Sequence, residues 1–157
     1  MKEAIFHYKN VNAAAPNQSP TIGVAALIEW NQKLLLERRS DSKRWAIIGG
    51  SIKSNESLTE ALFREVKEET GLQVAGYEIF GTFSHPSRII EYPDGNVKRT
   101  ITIAYRVNVQ PFEQLVCSNE SLELKFFAGT ELDEVIIAET HTQIIEHYKN
   151  NSGMVYE

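Results

Sequence analysis

The chain has 157 residues, of which 42% are hydrophobic and 24% charged, with a formal net charge of -5. That is ordinary globular composition and enough chain for one domain with a real core, which excludes a disordered, fibrous or repeat-array protein. The acidic balance weighs against a general nucleic-acid binder but leaves phosphate-bearing ligands open, because local charge and bound metal decide those. The single cysteine, Cys117, cannot form an internal disulfide and has no paired Cys or His at zinc spacing, so it reads as a strand-end or core thiol. Residues 1–10 lack the apolar run of a signal peptide, and no stretch has the length of a membrane span. The default compartment is therefore the cytoplasm.

In chain order, residues 1–20 form an N-terminal arm punctuated by Pro16 and Pro20, within one domain over residues 1–157. The segment Ile5-Phe6-His7-Tyr8 suits either a short edge strand or a dimer contact. Residues 21–28 are small and β-branched and predict a buried strand. Trp30-Asn31-Gln32 predicts a turn, and residues 33–38 return as a second strand, making a hairpin. After a polar loop, residues 45–48 form a brief strand that stops at Gly49-Gly50. A helix is predicted over residues 57–70, because Ser57 followed by Glu60 fits a capping box and Gly71 fits a C-cap. Strands are expected over residues 74–83, 100–109 and 122–127. Residues 84–98 read as a long loop containing the turn signal Tyr92-Pro93-Asp94-Gly95. A short turn at Thr130-Glu131-Leu132 precedes a C-terminal helix over residues 140–150, with Ile144, Ile145 and Tyr148 on one side. The order predicts an α+β domain with a mixed sheet held between helices.

The helix over residues 57–70 carries the chemistry. A helix turns by about 100° per residue, so Glu65, Glu68 and Glu69 fall within an arc of about 100°. Three carboxylates on one patch repel each other unless a cation sits among them, and hard, oxygen-liganded Mg2+ or Mn2+ suits such a patch better than zinc. Leu58, Leu62 and Val66 give the helix an apolar seam that holds the patch rigidly at the rim of the core. Gly49-Gly50 lets the backbone approach closely, so a main-chain carbonyl can join the metal shell. Three glutamates alone would more simply be a solvated helix face. The full spacing changes that, because Gly50, Glu56, Arg64-Glu65, Glu68-Glu69, Gly71 and an aliphatic Leu72 form one fixed pattern over 23 residues.

That pattern, G-x5-E-x7-R-E-U-x-E-E-x-G-U with U aliphatic, resembles the Nudix box, and the chain resembles the MutT-like Nudix hydrolases. Weaker resemblance runs from Thr21 to Phe127 and includes Leu34-Leu35-Leu36-Glu37-Arg38-Arg39 and Trp45. The resemblance implies an α/β/α sandwich around a mixed sheet. It implies Mg2+-dependent hydrolysis, with Mn2+ as a substitute, of a diphosphate joining a nucleoside to another moiety: ADP-ribose, a nucleotide sugar, a nucleoside triphosphate or a dinucleoside polyphosphate. Glu65, Glu68 and Glu69 would hold metal with the Gly50 carbonyl, and Glu120 on a later loop is a further ligand or base. Arg64 would orient the glutamates and Glu56 would act in the outer shell. Two departures, Ile48 where relatives often have Pro and Asn55 where many have Gly, remove no ligand. Arg88, Arg38, Trp45 and Tyr92 are the candidate substrate contacts, by phosphate pairing or base stacking. Lys98, Arg99, His85 and Glu123 are weaker candidates, and His7, His141 and His147 belong to no constellation. Two further readings stand beside the enzyme: an inactive scaffold that binds a ligand, against which the complete set of glutamates counts, and an RNA 5′-end pyrophosphohydrolase, against which the acidic composition counts. A homodimer is also expected, because the arm carries aromatic residues with no obvious partner in the core.

Overall fold

The computed structural model describes residues 3–157. Nine strands and two helices follow in the order β1 Ile5–His7, β2 Thr21–Trp30, β3 Lys33–Arg39, β4 Trp45–Ser51, α1 Leu58–Thr70, β5 Val74–Phe83, β6 Ile89–Glu91, β7 Val97–Val109, β8 Ser121–Phe127, α2 Glu139–Lys149 and β9 Val155–Tyr156. The strands form one mixed sheet in the order β1-β6-β7-β2-β4-β3-β8, with β5 paired to β7 and β9. At its centre β2 runs parallel to β7, from Thr21 opposite Thr100 to Ile28 opposite Val107.

The apolar run of β2 is explained by burial on both faces. Val24, Ala26 and Ile28 join Leu35 and Ile48 beneath Ala61, Leu62 and Val66 of α1. Ala25 and Leu27 point the other way and meet Leu34, Leu36 and Ile47 beneath Ile144 and Ile145 of α2. This is the α/β/α sandwich expected from the sequence.

Local signals set the key junctions. Asn31 and Gln32 both take positive φ, 51° and 62°, as a two-residue hairpin turn between β2 and β3 requires. Ser57 caps α1, accepting from the Glu60 N–H while the Glu60 carboxylate accepts from the Ser57 N–H, and Gly71 closes the helix at φ 76°.

Two expectations need correction, and one open alternative is settled. The stretch expected as one long loop contains β6, which pairs with the start of β7 through Ile90 opposite Lys98. The segment at Ile5 is an edge strand: β1 pairs with β6, and Phe6 is buried at 3% exposure. The arm's aromatic residues therefore find partners within the chain, which removes the observation that suggested a dimer. Cys117 is exposed, on the loop before β8. Among the described residues, no helix is long and apolar enough to cross a membrane.

Candidate active site

The site is built where β4 ends beside the middle of α1. Strand β4 continues through the glycine pair to Ser51, with Gly49 and Gly50 opposite Ala25 and Val24 of β2. Gly49 has φ 156°, and a side chain there would place its Cβ 2.0 Å from the Val24 carbonyl oxygen. Its N–H donates to Glu69 Oε2 at 3.1 Å. At Gly50 the constraint is space: a Cβ would lie 2.6 Å from Glu65 Oε1. The motif's first glycine is thus the floor on which the Glu65 carboxylate rests. Gly50→Ala is expected to fold, since the clash is with the end of a flexible side chain, but to displace Glu65 and cut turnover sharply. A crystal structure of the variant together with its kcat checks both parts.

Arg64 is the hub of the helix face. Its Nη1 donates to Glu65 at 2.8 Å and to Glu68 at 3.2 Å. Its Nε donates to one oxygen of Glu56, and its Nη2 donates to the other at 2.9 Å and to the Ser51 carbonyl at 3.2 Å. The Lys53 N–H also donates to Glu56, at 2.8 Å. The guanidinium beside it and this N–H hold the Glu56 carboxyl down at about 2. Glu56 and Arg64 therefore fasten the loop after β4 to the helix, which suits the outer-shell role that the motif implies.

Glu69 is treated differently. It is 6% exposed and, among the described residues, forms no ion pair. Burial, then the nearby charges of Glu37 and Glu65, push its carboxyl up to about 9. The opposite wall comes from β3 and its neighbours: Glu37, Arg39, Asp41, Tyr92 and Glu120. With Gly50, Arg64, Glu65 and Glu69 they enclose a cleft of about 500 Å³. Arg39 is gripped by Asp41 at 2.8 and 2.6 Å and lies 5.2 Å from the ring centre of Phe6. The N-terminal strand thus braces one wall of the cleft.

Among the described residues, no acidic, His or Cys side chains are yet drawn together as a metal-holding group. Arg64 turns Glu65 and Glu68 toward itself. The residues nevertheless fit a divalent ion. All the donors are oxygens, the preference of Mg2+ and Mn2+. The Glu69 carboxyl is also buried among like charges with a single backbone donor, an arrangement that a cation would relieve.

Of the residues singled out from the sequence, Gly50, Arg64, Glu65, Glu69, Tyr92 and Glu120 line this cleft. Glu68 lies on its flank, 56% exposed at the side chain. Three expected substrate contacts lie elsewhere. Arg88 is wholly buried, paired with Glu157 at 2.7 Å, and cannot reach a ligand. Arg38 lies on the α2 face of β3 and donates to the Lys43 carbonyl at 3.3 Å. Trp45, at the far end of β4, packs edge-on against Phe127 with ring centres 4.9 Å apart. Reading the sequence missed Glu37, Arg39 and Asp41. Strand alternation would have found the first two, because Leu35, Glu37 and Arg39 share the face toward α1.

Comparison with known proteins agrees with this geometry. The family model for the NUDIX domain matches residues 19–148. An ADP-ribose pyrophosphatase from Methanocaldococcus jannaschii is 33% identical over 132 residues, covering 82% of this chain and 73% of that protein. The nucleoside triphosphatase NudI of Escherichia coli is 37% identical over 90 residues, covering 54% of this chain and 63% of its own. Among solved structures, the NUDIX domain of Shewanella oneidensis NrtR, complexed with ADP ribose, has a TM-score of 0.68 at 21% identity, covering 85% of this chain and 89% of that one. The MutT protein of Bacillus halodurans has the same TM-score of 0.68 at 19% identity, covering 87% and 86%. With the family match spanning both helices and the motif's side chains gathered at one cleft, this chain belongs to the Nudix hydrolase family.

Proposed function

We propose that this protein is a Mg2+- or Mn2+-dependent pyrophosphohydrolase of nucleoside diphosphates linked to a second moiety, with ADP-ribose as the leading substrate. The observation that carries the reading is Glu69, a buried carboxyl set among Glu65 and Glu37 with no ion-pair partner among the described residues. Such crowding makes chemical sense where a divalent ion completes the site. ADP-ribose leads because a relative that covers 82% of this chain is named for it, and the Shewanella domain was solved with it.

Glu65, Glu68, Glu69 and the Gly50 carbonyl are the residues that would hold the ion, with Glu120 at the rim as a further candidate. When bound, the ion supplies neutralising charge to the diphosphate oxygens. The chain's own residues do the rest. Arg64 and Glu56 fix the helix face, so the carboxylates meet substrate in one arrangement. Arg39, held in place by Asp41, presents a guanidinium to the phosphates, and Tyr92 forms the neighbouring wall. A cleft carboxylate takes the proton of the attacking water, the new P–O bond forms, and the bridging P–O bond breaks toward the leaving phosphate. From ADP-ribose and water the products are AMP and ribose 5-phosphate.

The test is a panel of ADP-ribose, nucleotide sugars, dinucleoside polyphosphates, nucleoside triphosphates and 5′-triphosphorylated RNA, each with Mg2+ or Mn2+ and with chelator. Release of AMP from ADP-ribose, abolished by chelator, is expected. Binding of ADP-ribose without turnover of any substrate would mark an inactive scaffold, and preference for the RNA would move the substrate to transcript ends.

A further inference from the structure

Four charged side chains are buried among the described residues: Glu37, Glu65, Glu69 and Arg88. Three have an evident role. Arg88 is paired with Glu157, Glu65 with Arg64, and Glu69 belongs to the motif and accepts from Gly49. Glu37 lies outside the motif and is 3% exposed, and among the described residues its carboxylate has one hydrogen-bond partner, the neutral hydroxyl of Ser121 on β8, which donates to Oε2. The nearest guanidinium on its own strand, Arg39, is committed to Asp41 through two hydrogen bonds.

An unpaired buried acid is an expensive thing to keep in a core strand. An apolar side chain of similar size at this position would avoid the cost of burying a charge. The preceding residue on the same face, Leu35, shows what the site would otherwise hold, since it is fully buried in the apolar cluster beneath α1. Glu37 also faces the same cleft as Glu65 and Glu69, from the strand opposite α1. Like charges on opposite walls of one cleft repel across it, unless the space between them takes a cation.

We infer that Glu37 is a further acidic member of the cation site, contributed by β3 and held in register by the Ser121 hydroxyl. Its part is to raise the affinity for the ion and to position it from the wall facing the helix. This rests on the metal-dependent reading above, and it makes β8, through Ser121, a support of the metal site.

The experiment measures Mn2+ binding to the full chain by the electron paramagnetic resonance of free Mn2+, together with the melting temperature with and without Mn2+, for the wild type, Glu37→Gln and Ser121→Ala. The glutamine keeps the shape and can still accept from Ser121. Glu37→Gln is expected to weaken Mn2+ binding by about tenfold to a hundredfold, the range for outer partners of a metal site. Its metal-free melting temperature is expected to rise, because a buried charge has been removed, and its stabilisation by Mn2+ to shrink. Ser121→Ala is expected to weaken binding less, since the charge remains. A purely structural Glu37 would give the opposite pair of results: a lower metal-free melting temperature and unchanged Mn2+ affinity. Either of those two results overturns the inference. If Glu37→Gln does not fold, the Mn2+ affinity of Ser121→Ala decides, and an unchanged value overturns it. A wild type that takes up Mn2+ normally while the variants match it refutes only the role of Glu37, whereas a wild type that takes up none refutes the metal-dependent reading as well.

Discussion

Replacing Glu69 with Gln is expected to lower kcat by about two to four orders of magnitude while making the metal-free protein more stable at alkaline pH. The two effects share a cause. Glu69 is buried beside Glu65 and Glu37, and its carboxyl is pushed up to about 9. The folded protein therefore binds a proton there more tightly than the unfolded chain does. The sign follows from linkage: between the ordinary carboxylate range and about 9 the native state carries more protons, so stability falls as pH rises through that window. Glutamine mimics the protonated acid and still accepts from the Gly49 N–H, so the variant escapes the loss. Without metal, wild type and variant should melt together near pH 4 and separate by several degrees at pH 8, at about 2–4 °C per kcal/mol for a chain of this size. Mg2+ or Mn2+ should close that gap by stabilising the wild type alone. Glu65→Gln should share the loss of turnover, because its carboxylate lies against Gly50 in the same cleft. Glu68→Gln should lower turnover as well, since it removes charge from the flank of the same patch. A melting series over pH with and without metal, read beside kcat, checks the pair of effects. Equal metal-free stabilities at pH 8, or undiminished turnover, would remove Glu69 from the centre of the site.

The helix that carries these carboxylates was legible because its determinants are local. The capping box of Ser57 and Glu60, the αL glycine at position 71 and the seam of Leu62 and Val66 all lie within one short segment. The central strand was legible because burial on both faces leaves an unbroken apolar run. What the sequence hid depends on partners far along the chain. Strand β6 is three residues long and gains its identity only by pairing with β1 and β7. Strand β9 has two residues and exists through its pairing with β5. Arg38 and Arg39 look equivalent in sequence, and only the face of the strand separates the one at the cleft from the one beyond it. Trp45 keeps its place in the family-like pattern yet serves the α2-side core, because it stands at the opposite end of β4 from the glycine pair.

Arg88 is the sharpest case, and breaking its ion pair is expected to cost about 3–5 kcal/mol. In sequence it sits in a polar, proline-containing stretch, where an arginine reads as a solvated charge free to meet phosphate. In the fold it is wholly buried, 4.6 Å from the Tyr8 ring centre and 5.3 Å from that of Phe83. Its Nε and Nη2 donate to the two carboxylate oxygens of Glu157 at 2.7 and 2.8 Å, and Nη1 donates to the Thr140 carbonyl. The Tyr8 hydroxyl adds a bond to Glu157 at 2.9 Å. One guanidinium thus ties together the start of β6, the first turn of α2, the N-terminal arm and the tail beyond β9. Glu157→Ala leaves that guanidinium buried without its counter-charge, so the melting temperature should fall by about 10 °C near neutral pH. The pH dependence has a definite sign. Despite the burial that opposes it, Arg88 and Tyr8 hold the Glu157 carboxyl below its ordinary value, so the stabilisation is present above the usual carboxylate range and is lost as pH falls through the depressed folded value. The difference between wild type and variant should therefore shrink in acid. Arg88→Met combined with Glu157→Leu should recover much of the lost stability, because an apolar pair leaves no charge unsatisfied. KM for substrate should stay near the wild-type value in Glu157→Ala at temperatures where the variant is folded. A large rise in KM with little loss of stability would instead return Arg88 to the phosphate-binding role its sequence neighbourhood suggests.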